Sequence, residues 1–184
     1  MIDKEFYLKH GLLYGVISIV YLMVTYYLGI EAMASGWNSI AQLVMFFGLF
    51  YYFGVEARKL SGGYLGFSEA FKALFMVLAL GVFIYILFYF ILYTVIDPTL
   101  MERLMDFGLE KQLQELDDAG ASEETIDQMI QGMDMMKGFM GKLFSLGGFL
   151  LMYVLTLLIG SIGLAITAAV VKKNNPNPFA EVEN

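Results

Sequence analysis

The chain has 184 residues, 59% of them hydrophobic and only 16% charged, with a mean hydropathy of +0.67. A soluble domain carries about a quarter charged residues, so this surplus of apolar side chains calls for a lipid environment. A formal charge of −7 argues against nucleic acid as a partner, and the absence of cysteine excludes disulfides, thiolate catalysis and cysteine metal centres.

The first apolar run, Gly11 to Ile30, holds twenty residues without a charge. At about 1.5 Å per residue it spans roughly 30 Å, the thickness of the hydrocarbon core. A secretory signal is the competing reading, because Lys4 and Lys9 precede the run and Ala32-Met33-Ala34 resembles a cleavage site. Signal cores run only about 7–15 residues, and three further apolar runs follow, which favours a membrane helix. The second run follows Trp37 and closes at Glu56, Arg58 and Lys59; Trp37 and Tyr51-Tyr52 suit the interfacial aromatic belts. The third ends at Asp97-Pro98 and the fourth at Lys172-Lys173. The pattern predicts an all-α polytopic membrane protein with four transmembrane helices at about 11–30, 38–56, 70–96 and 141–171.

Between the third and fourth spans lies an acidic segment, residues 97–140, expected outside the cytoplasm as an amphipathic helical hairpin. Asp97 is placed to cap a helix that starts at Pro98, and Met101, Met105, Leu109, Leu113 and Leu116 recur near helical spacing. Gly120 is a natural stop, Ser122 a second cap, and Ile126, Met129, Ile130 and Met133 a second stripe. The pair either lies along the bilayer or stands clear of it. Residues 174–184, with Asn-Pro-Asn-Pro and two glutamates, are expected to be a flexible cytoplasmic tail.

Orientation follows from the basic residues. With the N-terminus inside, Lys4, Lys9, Arg58, Lys59, Lys72, Lys172 and Lys173 are cytoplasmic, while Arg103, Lys111, Lys137 and Lys142 are diluted over the long outer loop. The positive-inside rule places both termini in the cytoplasm.

Chemistry-bearing residues are few. The centres of the four runs lack ionisable groups, and Glu31, Glu56, Glu69 and Lys72 sit at predicted ends. The stretch from Ser61 to Lys72 is the most distinctive. Gly62, Gly63 and Gly66 either expose amides to an anion or form a tight connector, with Ser68 as cap and Glu69 in the first turn of the next helix. Together with Phe67 and Lys72 they form a candidate interaction loop. Met129, Met133 and Met136 make a candidate contact face outside; clustered thioethers can bind Cu(I), although Met at helical spacing usually fills an adaptable apolar face. Gly11 and Gly15, and Ser161, Ala165 and Ala169, are spaced for close helix packing, within one chain or between copies. The single histidine, His10, has no evident nucleophile or metal partner, so neither an enzyme nor a bound metal or cofactor is expected.

The stretch from Gly62 to Lys72, Asp97-Pro98 after the third span, and the four-span layout together resemble a bacterial membrane-protein family, domain of unknown function 4199, over about residues 9–173. Ser68-Glu69 stands where that family typically has Gly-Gln. The resemblance implies a bacterial inner membrane and brings no activity with it. The expected role is a non-enzymatic interaction or accessory membrane subunit, with the bilayer and either a protein partner or a second copy as neighbours. The alternative is a small oligomeric transporter or channel, for which Ser18, Thr25, Gln42 and Thr156 would have to face a common path.

Overall fold

A computed structural model describes residues 2–143 and 145–176, with only the backbone described at Gly141, Leu143 and Leu146. The elements are α1 (Lys4–Leu28), α2 (Ile30–Ala34), α3 (Gly36–Leu60), α4 (Phe67–Ile91), α5 (Leu100–Asp118), α6 (Glu123–Leu143) and α7 (Leu146–Val171); α4 continues through a wider π turn over Leu92–Ile96. Among the described residues there is no strand, only an isolated bridge between Leu65 and Lys173.

Four helices are long and apolar enough to cross a membrane: α1, α3, α4 with its π turn, and Gly147–Val171 of α7. Only 22 to 33% of their most apolar stretches is buried inside the protein. Val20, Val44, Leu87, Leu158 and Ile159 are among the large apolar side chains left outside. Water would oppose that exposure; hydrocarbon accepts it.

The helices outrun the apolar runs. α1 starts at Lys4 rather than Gly11, because the Asp3 carboxylate accepts the Phe6 N–H at 3.0 Å and caps the helix there. It stops at Leu28, where Gly29 takes φ +100°, a conformation that a side chain rarely adopts. α7 starts at Leu146, and Lys142 belongs to the last turn of α6.

The helix starts expected at Pro98 and at Ser68 both shift. Asp97 lies outside the helical region (φ −141°, ψ 80°), the Leu100 N–H closes a turn on Asp97 O at 3.1 Å, and the first helical bond runs from the Arg103 N–H to Thr99 O at 3.0 Å, so α5 begins only at Leu100. α4 begins at Phe67, one residue before Ser68, and Gly66 takes the cap position. Two other signals hold locally. Gly120 (φ +68°) closes α5 in a Schellman motif, with the Ala121 N–H on Leu116 O and the Gly120 N–H on Asp117 O, both 2.9 Å. The Ser122 hydroxyl accepts the Thr125 N–H at 3.3 Å and caps α6.

Two compact units divide the chain, and every membrane-length helix contributes to both. The first takes in Met1–Ile17, Ala41–Ile84 and Leu155–Asn184, so far as these are described. Its core is aromatic: Phe50 is fully buried, with its ring 4.7 Å from Phe46 and 4.9 Å from Tyr14. His10 is buried too, between the rings of Phe6 (4.2 Å) and Phe53 (4.9 Å), with its Nδ1 2.9 Å from Phe6 O. The second unit is Ser18–Ile40 with Tyr85–Val154. There Leu22, Leu92, Tyr93 and Leu100 form a buried cluster, α2 packs on α5, and α5 packs on α6. The Lys137 ammonium donates to Asp106 Oδ1 at 2.6 Å, and that bond raises the Lys137 pKa. Of the expected tail, residues from 177 onward lie outside those described.

Candidate functional site

The glycine loop is internally satisfied. α3 ends in a Schellman motif of its own: the Gly63 N–H donates to Arg58 O at 2.9 Å and the Gly62 N–H to Lys59 O at 3.2 Å. The third glycine amide, Gly66 N–H, donates to the Glu69 carboxylate at 3.1 Å, the returning half of a capping box at the start of α4. All three amides are therefore spent within the loop, and the anion-cradle expectation gives way to the connector. The loop is also tied to the end of α7. Leu65 and Lys173 exchange backbone hydrogen bonds of 2.8 and 2.9 Å, and the Arg58 guanidinium donates to Val171 O at 3.1 Å. A cation on the last carbonyls of a helix is electrostatically favourable. Phe67 stacks on Phe71 with 6.3 Å between ring centroids, and Lys72 is exposed.

Gly62 and Gly63 hold φ of +74° and +90°. Gly63→Ala is expected to cost about 1–2 kcal/mol, because a Cβ is disfavoured in that conformation. Thermal unfolding in detergent measures it; a variant as stable as the parent would deny the motif.

The small residues divide. A Cβ on Gly11 would stand 2.8 Å from Leu80 Cδ2, and one on Gly15 would stand 3.0 Å from Ile84 Cβ, so both mark a close approach of α1 to α4. Gly81, across that contact, is tighter still. The Ser161, Ala165 and Ala169 stripe is different. Ala169 is exposed, while Leu164, Thr167, Ala168 and Val171 are buried and Gly160 and Gly163 make the tight contacts, to Leu78 and Phe46. A four-residue step rotates about 40° around a helix, so from the half-buried Ser161 and Ala165 the stripe drifts off the packed face to the exposed Ala169. The Ser161 hydroxyl is returned to Leu157 O at 2.6 Å.

The methionine face also splits. Met129 and Met133 are half-buried, whereas Met136 is exposed. The polar residues required for a transport path sit as follows. Ser18 is buried, and its hydroxyl has no hydrogen-bond partner among the described residues. Thr25 is buried and donates to Leu22 O at 2.9 Å; Gln42 and Thr156 are exposed. Among the described residues no group of three or more His, Asp or Glu is arranged to hold a metal ion.

The polar cluster that the sequence did not reveal surrounds Asp97. Its carboxylate accepts hydrogen bonds from the Tyr26 hydroxyl at 3.2 Å, from the Thr99 hydroxyl at 2.9 Å, and from the Arg103 guanidinium. The Asp97 side chain is only 14% exposed, against 50% for Arg103. Partial desolvation pushes the carboxyl up, but the bonds from Thr99 and Tyr26 and the Arg103 charge outweigh it and hold Asp97 below the usual carboxylate range. The cluster joins the end of α1 to the start of α5. Beside it opens a cleft of about 270 Å³ lined by Tyr26, Tyr27, Gly29, Ile30, Met33, Leu100 and Arg103. The arrangement clamps one element to another: the Tyr26 hydroxyl on α1 and the Arg103 guanidinium on α5 both donate to the Asp97 carboxylate. Two charges six residues apart across a proline were a visible signal, but Tyr26 is 71 residues distant in the chain.

No curated protein and no solved structure matches the chain. A family model does, over residues 9–173, nearly all of the helical part described above. Its span begins within α1 and ends at Lys173, the residue that bridges back to Leu65. The chain belongs to the family described as protein of unknown function (DUF4199).

Proposed function

We propose that this is a non-enzymatic, multi-pass accessory protein of the bacterial inner membrane, with both termini cytoplasmic, that presents α5 and α6 to a protein partner outside the cytoplasm. One observation carries the reading: α5 is anchored at its start, α6 packs on it, and the two bear exposed acid in excess of their bases. The Asp97 cluster anchors the start of α5. Beyond it, Glu110, Asp117, Asp118, Glu123, Glu124 and Asp127 are all exposed. Among the described residues, the ion pairs of this region are Asp97–Arg103 and Asp106–Lys137. An exposed field of one sign raises the encounter rate with a surface of the other sign and fixes register, so the complement is a cationic protein face.

The test is affinity purification from native membranes, with the parent chain and with a variant carrying Asp117→Asn, Asp118→Asn, Glu123→Gln and Glu124→Gln. The parent is expected to retain a discrete partner at low salt that the variant loses, and that about 0.5 M salt releases from the parent as the screening length falls. An unchanged partner set would overturn the reading.

A further inference from the structure

α6 carries two apolar stripes, and α5 covers only one of them. Each residue turns about 100° around the helix axis, which sorts its side chains into three sectors. Ile126, Met129, Met133 and Met140 share the first with Lys137, and all are half-buried. Glu123, Asp127 and Asp134 occupy the second and are exposed. Met135 and Phe139 occupy the third, with Met136 at its border with the first, and they stand 78%, 56% and 53% exposed. This third sector is apolar only toward the end of the helix, since its earlier positions hold Thr125, Gln128 and Gly132.

Position along the chain identifies what covers the stripe. Phe139 lies four residues before the end of α6, about 6 Å of helix. α7 starts at Leu146, and its first turns expose Leu150, Leu151 and Val154, the kind of surface that hydrocarbon covers in a membrane-crossing helix. The stripe therefore ends within a few residues of a helix whose exposed face suits hydrocarbon. Lys142, exposed in the last turn, has the long stem and charged head that reach from apolar surface to phosphate.

We infer that the C-terminal half of α6 is embedded in the boundary between lipid headgroups and acyl chains, with Met135, Met136 and Phe139 in contact with lipid. A helix with one apolar face and a polar remainder sinks about 5–10 Å into that boundary. The acidic sector then stays in water, and α6 meets the bilayer at its end while its start remains free. Lipid contact requires no protein partner, so it holds or fails independently of the acidic face.

The chain has no cysteine, which permits single-site labelling. Met136→Cys and Phe139→Cys, with Asp118→Cys as the aqueous reference, are each labelled with a nitrobenzoxadiazole and reconstituted in phosphatidylcholine vesicles. Parent-like melting shows that each variant is folded. Labels at 136 and 139 are expected to emit to the blue of the label at 118, to be quenched several-fold less by iodide, and to be quenched by lipid brominated high on the acyl chain. Iodide quenching equal at all three sites would overturn the inference. So would shielding from iodide without quenching by brominated lipid, since a second copy of the chain would then cover the stripe.

Discussion

Asp97→Ala is expected to unfold in detergent with about 1–3 kcal/mol less stability than the parent at pH 7. The carboxylate is mostly enclosed and accepts from three side chains, so its removal leaves donors that only water can satisfy. Arg103→Ala is expected to cost less, because half of that side chain is already in water, where exposed pairs contribute at most about 1 kcal/mol. The pH dependence has a definite sign. The folded protein holds the Asp97 carboxyl below its usual range, whereas the unfolded chain returns it to about 3.9. Its contribution is therefore complete above the unfolded value and is lost as the pH falls through the lower, folded one. Asp97→Asn lacks this component, so the gap between parent and variant closes as the solution is acidified. Thermal melts from pH 7 to pH 3 measure both effects; a parent and an Asp97→Ala variant that melt together at pH 7 would remove the clamp.

The second large effect is expected at Gly81. A Cβ there would lie 2.5 Å from Tyr14 Cδ1 and 2.9 Å from the carbonyl oxygen of Gly11. Tyr14 could swing away, but Gly11 O is backbone of the facing helix and moves only if α1 and α4 separate. Gly81→Ala should therefore cost about 1–3 kcal/mol, the usual range for overpacking. Gly48→Ala is the control. Nothing lies within 4 Å of a Cβ at Gly48, and alanine favours a helix over glycine by up to about 1 kcal/mol. Melting of the two variants side by side decides the matter; equal behaviour would show that α1 and α4 do not approach closely.

Much of the local structure was legible in the residues. Gly120 and Ser122 mark the end of α5 and the start of α6 because a positive φ and a side-chain cap are satisfied within a few residues of chain. Pro98 was misleading: proline tolerates the first turn of a helix, but here it sits in the turn that the Leu100 N–H closes on Asp97 O, and the helical bonds start only at Thr99 O. Met136 shares helical spacing with Met129 and Met133, yet it is exposed where they are half-buried, because spacing alone does not fix how much of a stripe is covered. In the same way Gly62 and Gly66 announced a special loop without showing that their amides were already bonded.

The sequence by itself determined the helical class and the four membrane-length helices, because an uncharged run as long as the bilayer is thick is a one-dimensional property. Only the tertiary structure decided which faces meet: Tyr26 with Asp97, Gly81 with Gly11, Gly163 with Phe46. In lipid every face of a spanning helix is apolar, so hydrophobic pattern does not select the packed one. Shape and a few hydrogen bonds between distant residues do.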